Sequence, residues 1–519
     1  MKRKTLALCL SLALAGTVSA DEIKQQNNDW FKAGQDFVAS RLTEQPKLKA
    51  KNVILFVGDG MSIATLTASR IYEGQLRGES GEENLLSFEK FPYTALVKTY
   101  NTDAQTADSA GTAAAMVTGI KTDKGVLGVN ENIEKGKCDT VAGNEATTIL
   151  EMAEAQGLST GIVTTARVTH ATPASNYAKT ADRGWEDNSK LAKDAVGKCE
   201  DIASQLVNFE DNMKKLGFGE SDGIEVVMGG GRRHFLPKDA KFNSADNKKE
   251  IEGKRTDGRN LIDEWQAKHP DGKYIMDTKG FEALDAAKTK KVLGLFNSSH
   301  MRYEADRKND IAGEPSLTEM TKKAIDILDN NDKGFYLMVE GGRIDHAHHA
   351  GNAAGALTET VEMAKAVQAA YEATNPEETL ILVTADHGHV FSIAGYPKRG
   401  NPILGKVVKT GKTEPALAED GKPYTTLGYM NGRGFMDLGQ ETNSDKSYKH
   451  DINAGRADIT DVDTTAPGYH QEALIPNGAE THSGEDVALF ASGPASQLVR
   501  GTMEQNVIFH IMRKALFNK

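Results

Sequence analysis

Residues 53–60 read VILFVGDG. The run Val53 to Val57 is apolar at every position rather than every second one, which marks a strand buried on both faces. It stops at an aspartate, Asp59, held between Gly58 and Gly60. The same pattern recurs five times along the chain. Gly161 to Val163 leads into Thr164 to His170, and Glu225 to Met228 stops at Gly229 to Gly231. Phe335 to Val339 stops at Glu340 to His349, Leu380 to Thr384 at Asp386 to His389, and Val487 to Ala491 at Ser492 to Pro494. Helical stretches lie between these runs, among them Ala146 to Ala155, Ser316 to Leu328 and Ala356 to Thr374. The alternation predicts an α/β fold with a large, mostly parallel sheet covered by helices on both sides. Such sheets bind ligands at the carboxyl ends of their strands, where the polar clusters fall.

The 519 residues leave the domain count open, since single α/β enzymes with insertions reach this length. Hydrophobic residues make up 39% and charged residues 26%, a globular composition that excludes a disordered, collagenous or coiled-coil chain. A formal charge of -11 and the lack of any long basic run argue against a nucleic-acid-binding module. Lys2, Arg3 and Lys4 precede an apolar run from Leu6 to Ala15 and a Val-Ser-Ala ending at Ala20, so residues 1–20 read as a secretory signal peptide. Without its three bases, 59 remain against 73 acids, a net charge of -14. No other segment offers 18 consecutive apolar residues, and no membrane anchor is expected. Cys138 and Cys199 remain after Cys9 leaves with the signal, and an even pair in an exported chain suggests one disulfide, two unpaired thiols being the alternative.

Two segments break the pattern. Residues 391–480 hold six of the 14 prolines and few long apolar runs, and read as a large insertion. Tyr424, Tyr429, Phe435 and Tyr469 give it material for a small packed unit rather than a linker. Residues 240–300 read as a charged, helix-rich excursion with no legible function.

Five of the 13 histidines fall in two clusters, His346, His348 and His349 in IDHAHH, and His387 and His389 in ADHGH. Each cluster follows a buried strand and contains an aspartate. Asp345 and His349 are four apart and share a face if a helix begins there. Neutral imidazoles with carboxylates suit a zinc-type ion, whereas carboxylates with hydroxyls suit magnesium. Asp386 and His387 are adjacent, so they share an ion only if the chain turns there, which Gly388 permits. In TADSAGTAAAMVTG, residues 106–119, Ser109 opens a small-residue run of helical character. It reads either as a helix N-cap or as a nucleophile in the positive field of a helix end. No GxSxG elbow accompanies it, which disfavours a histidine-based serine triad.

Together, VGDGM around Asp59, TADSAGTA around Ser109, TTARVTHATPAS, EGGRIDHAHH, TADHGHVF and THSGEDVALF resemble the motif set of the alkaline phosphatases, in that family's order and across residues 53–494. His170 and His346 place the resemblance with the animal-type and marine-bacterial branch. The resemblance implies a three-layer α/β/α sandwich with a crown-like insertion, making residues 21–519 one catalytic domain interrupted at about 391–480. It implies a phosphomonoesterase with two Zn2+ and one Mg2+ per subunit, in a homodimer exported to the periplasm or secreted. It assigns Asp345, His349 and His482 to one zinc, and Asp59, Asp386 and His387 to the other, with Ser109 as the residue that becomes phosphorylated. Asp59, Thr172 and Glu340 would hold magnesium, Arg183 would grip the phosphate, and His170 and His346 would act on the third ion and the phosphate through water. The pair Cys138 and Cys199 also matches a disulfide of the animal-type enzymes. A related superfamily phosphodiesterase, or a periplasmic zinc- or phosphate-binding protein without turnover, remains as an alternative reading.

Overall fold

The computed structural model describes residues 23–40, 47–247 and 250–518. Residues 1–20, read as a signal peptide, lie outside them. Ten strands form the central sheet: β1 Asn52–Gly58, β2 Tyr93–Lys98, β3 Ser159–Arg167, β4 Val226–Gly230, β5 Lys273–Ile275, β6 Val292–Leu295, β7 Phe335–Gly341, β8 Thr379–Ala385, β9 Val487–Ser492 and β10 Gly501–Glu504. Their spatial order is β10-β2-β9-β8-β1-β7-β3-β4-β6-β5. Only β9 runs against its neighbours, pairing antiparallel with both β2 and β8. All six apolar runs lie in this sheet. Every residue of β1, β7 and β8 is buried, as expected of strands covered on both faces.

Helix ends follow local chemistry. Ser316 caps Leu317–Leu328 with a reciprocal bond to Glu319, and Thr148 does the same for Ile149–Ala155 with Glu151. Residues 240–300 differ from the helix-rich reading. Their helices are short, and the segment supplies two short strands, β6 beside β4 and β5 at the sheet edge. The edge strand β5 is partly exposed and β6 is only four residues long, so neither carries a long apolar run.

Residues 391–480 carry their own elements. Phe391–Ile393, Leu427–Gly432 and Ala473–Pro476 form a three-stranded sheet, and Met436–Asp437 pairs with Tyr469–His470. Phe391, Leu427 and Tyr429 pack with Ile403, Leu404 and Leu357 in a separate apolar cluster. At the base, His389 and Gly388 pair antiparallel with His482 and Ser483, so the segment leaves and rejoins the main body at one point. Cys138 and Cys199 form a disulfide, with Cα atoms 5.9 Å apart.

Candidate metal centre and active site

The site lies at the carboxyl end of the sheet, over neighbouring strands. Asp59 follows β1, Glu340 is near the end of β7, and Asp386 follows β8. Gly60 is in the left-handed region, at φ 71°, and a Cβ there would fall 2.3 Å from the His389 ring. Glycine therefore allows the chain to turn past Asp59 beneath the histidine cluster. Its N–H donates to Asp386 Oδ1 at 2.9 Å, fixing the two aspartate loops against each other.

Strand β8 ends at Ala385, one residue before the pair Asp386–His387. The chain thus bends at the pair itself, before Gly388, and both side chains reach one site. His387 Nε2 is 3.4 Å from Asp386 Oδ2 and 3.3 Å from Asp59 Oδ1. Ser109 Oγ lies 3.2 Å from the same nitrogen and 3.3 Å from Asp59 Oδ1. Asp108, not Ser109, caps the helix Ser109–Thr118, accepting from Gly111 N–H. The serine hydroxyl is therefore left free of the capping role and turned toward Asp59.

A second cluster sits on the helix Arg343–His349, which brings Asp345 and His349 onto one face. Asp345 Oδ1 is 3.3 Å from both His349 Nε2 and His482 Nε2, and those two nitrogens are 3.1 Å apart. The other nitrogens, His349 Nδ1 and His482 Nδ1, donate to the backbone carbonyls of Glu480 and Ala107, at 2.6 and 2.8 Å. A carbonyl cannot donate, so in the neutral rings both Nε2 atoms carry lone pairs. Burial lowers His349 to a pKa of about 4 and keeps it neutral. Two lone pairs and a carboxylate oxygen pointed at one another repel unless a cation lies between them. Moreover, a tetrahedral ion with bonds of about 2.0–2.1 Å has ligand–ligand edges of about 3.3–3.4 Å, close to the spacings in both clusters.

The electrostatics point the same way. Asp59 is buried beside Asp386, Asp345 and Glu340, and burial with this like charge raises its carboxyl well above the usual range. Burial first, then nearby aspartates, pushes Glu340 up to about 7. Burial opposes ionisation of Asp345 too, but the imidazoles around it, above all the charged His389 that donates to it, hold it well below the ordinary value. Around Glu340 lie oxygens of Asp59 and Thr172 with a ring nitrogen of His170 close by, and Glu340 Oε1 and Thr172 Oγ1 are buried without hydrogen-bond partners. Such a set fits an ion of the magnesium type.

Arg183 donates from Nη1 to Asp108 Oδ2 at 3.0 Å and from Nη2 to His170 Nε2 at 3.1 Å. That anchors its guanidinium one residue from Ser109. His170 and His346 lie together beside it, with ring centroids 5.6 Å apart.

Glu480 and His300 escaped the reading of the sequence, and His389, read as part of the ADHGH cluster, was given no role there. His389 is wedged between Asp345 Oδ1, at 2.8 Å from Nε2, and Glu480 Oε2, at 2.5 Å from Nδ1. Although buried, it is raised to about 10 by Glu480 and Asp345 and donates from both nitrogens. It therefore supports Asp345 rather than offering a lone pair to an ion. Glu480 supports the cluster twice, through His389 and through its carbonyl on His349. His300 joins His170 and His346 in a third imidazole group. His348, by contrast, is structural, held between Thr65 Oγ1 at 2.9 Å and the Tyr429 hydroxyl at 2.8 Å.

Comparison with known proteins identifies the family. Residues 50–517 match the family model described as alkaline phosphatase. The chain is 42% identical over 511 residues to the tissue-nonspecific alkaline phosphatase isozyme of Gallus gallus, covering 97% of this chain and 92% of that protein. It is 43% identical over 491 residues to the alkaline phosphatase of Gadus morhua, covering 94% and 96%. The crystal structure of Thermus thermophilus alkaline phosphatase shares the fold, with a TM-score of 0.62 at 24% identity over 92% of this chain and 94% of that one. With the motifs, the sheet and the two ligand clusters in place, the chain belongs to the alkaline phosphatase family.

Proposed function

We infer that the chain hydrolyses phosphomonoesters with Ser109 as the covalent nucleophile. The observation that carries this reading is the convergence of Ser109 Oγ on Asp59 and His387, at the start of a helix and beside an anchored guanidinium. The positive end of that helix favours negative charge on the serine oxygen. Arg183 offers a planar fork suited to two phosphoryl oxygens. Ser109 Oγ attacks phosphorus, the P–O bond to the alcohol breaks, and the alcohol leaves with a proton. Water then attacks the phosphoserine, breaking the Oγ–P bond, returning the hydroxyl and releasing inorganic phosphate. Asp345, His349 and His482 would hold one zinc, Asp59, Asp386 and His387 a second, and Asp59, Thr172 and Glu340 a magnesium, giving two Zn2+ and one Mg2+ per subunit. Such ions lower the pKa of bound hydroxyl groups and neutralise charge on the entering and leaving oxygens. Contacts concentrated on the phosphoryl group suit many alcohols. Monoesterase activity that disappears with chelation and exceeds diesterase activity, alongside metal analysis, tests the reading; preference for a diester would overturn it.

Residues 1–20 are proposed as the export signal of a periplasmic or secreted enzyme, a setting that the disulfide supports. Among the described residues no helix is long and apolar enough to cross a membrane. Residues 391–480 are proposed to build a homodimer interface or limit access to the site, since both ends are pinned beside the ligand clusters. Deleting them should change subunit mass or substrate range before it abolishes zinc binding. Unchanged mass and kinetics would mark a passive linker.

A further inference from the structure

Three imidazoles beside Arg183 form a unit of their own. Ring centroids are 5.3 Å apart for His170 and His300, and 4.0 Å for His300 and His346. One ring nitrogen of each lies within 4.8 Å of the others. Every ring also meets an arginine. Arg183 Nη2 donates to His170 Nε2 and Arg343 Nη1 to His346 Nδ1, both at 3.1 Å, and Arg167 Nη1 donates to His300 Nε2. Each guanidinium is anchored behind by a carboxylate: Asp108 for Arg183 at 3.0 Å, Asp445 for Arg343 at 2.8 Å and Glu186 for Arg167 at 2.7 Å.

This repeated carboxylate–guanidinium–imidazole arrangement sets the tautomers. A guanidinium has no lone pair to give, so the imidazole nitrogen facing it must accept. The ring proton then sits on the other nitrogen, making His170 Nδ1, His300 Nδ1 and His346 Nε2 donors. The first two are buried and have no hydrogen-bond partner. A metal ion would need lone pairs there, which would turn each opposite N–H against an arginine N–H. An oxyanion meets the donors as they stand. A crevice of about 260 Å³ opens beside His300, lined also by Arg302, Tyr303 and Arg343 and by Asp306 and Asp445, the carboxylates paired with those two arginines, and has room for one.

We propose that His170, His300 and His346 form a second-anion subsite, which receives a phosphoryl or carboxylate group on the alcohol part of the ester while Arg183 holds the reacting phosphoryl group. The proposal rests on the phosphomonoesterase reading, which turnover of an ester with an uncharged alcohol part checks separately. The test uses two monoesters of matched leaving-group pKa, one with an uncharged alcohol part and one carrying a second phosphoryl group. The native enzyme should show a lower KM for the charged ester, and absence of that preference would overturn the proposal without any variant. His300→Leu should lower kcat/KM for the charged ester at least tenfold through KM, and change the uncharged ester less than twofold. His300→Asn, which keeps an N–H donor, should retain most of the preference. Equal losses on both esters, or no loss on either, would contradict it. Loss of one metal per chain in His300→Leu would show a cation site instead. Loss only of inhibition by inorganic phosphate, with the ester preference intact, would assign the subsite to free phosphate and overturn the substrate role.

Discussion

Glu480→Gln isolates the support behind the Asp345 cluster. The amide keeps the side-chain shape and leaves the backbone carbonyl that accepts from His349, but its single oxygen can no longer accept from both Val390 N–H and His389. A hydrogen bond to a charged partner contributes about 1.5–3 kcal/mol, and its neutral counterpart about 0.5–1.5 kcal/mol. The difference, about 1–1.5 kcal/mol, is what keeps His389 seated against Asp345 Oδ1. Outer contacts of this kind are worth roughly 10- to 100-fold in metal affinity. Because Val390 N–H can hold the amide oxygen in place and the ligands His349 and His482 are themselves partly exposed, the lower half of that range is expected, about 10- to 30-fold weaker zinc. Zinc competition against a chelator of known affinity, with a thermal melt to confirm folding, measures it. Zinc affinity within twofold of the native enzyme would refute the reasoning, because it would mean that Asp345 is fixed without His389.

Arg183→Ala removes two charge-assisted contacts to phosphate. After discounting for its partial exposure, a loss of about 3 kcal/mol, roughly a hundredfold in kcat/KM, is expected. Inhibition by inorganic phosphate should weaken in parallel, and an unchanged inhibition constant would contradict the role. Cys199→Ser opens a loop with a sequence separation of 61, which the chain-entropy model values at up to about 4 kcal/mol; urea unfolding indistinguishable from native would reject a stabilising bridge. Burial, with Glu154 nearby, raises Glu225 to about 8 from an ordinary 4.5. The folded state thus holds a proton that the unfolded chain releases, and this stability is present below about pH 4.5 and lost as pH rises through 8. Glu225→Gln should flatten the decline in urea stability between pH 5 and 8, and parallel curves would show that Glu225 does not titrate there.

The strands that position the site were legible because burial on both faces writes an unbroken apolar run, as in β1 and β7. Strand β2 was not, since its residues alternate in exposure and lack such a run. Asp345 and His349 could be paired from their spacing of four, because one helix carries both. The role of His389 could not, because its partner Glu480 is 91 positions away and across the insertion. His300 stood alone in its segment, with nothing nearby to mark it. Only the packing of β3 brings Arg167, 133 positions earlier, against its ring. The Ser109 assignment came from motif context; its local sequence was equally compatible with a helix cap, which Asp108 provides instead.

The central claim is that phosphate passes through Ser109. Acid quenching during turnover of a labelled monoester, followed by peptide mapping, should place one phosphate on the peptide containing Ser109. Ser109→Ala should abolish that label and lower turnover by at least about a thousandfold while both zincs remain bound. Label on another residue, or near-native turnover in Ser109→Ala, would contradict the account.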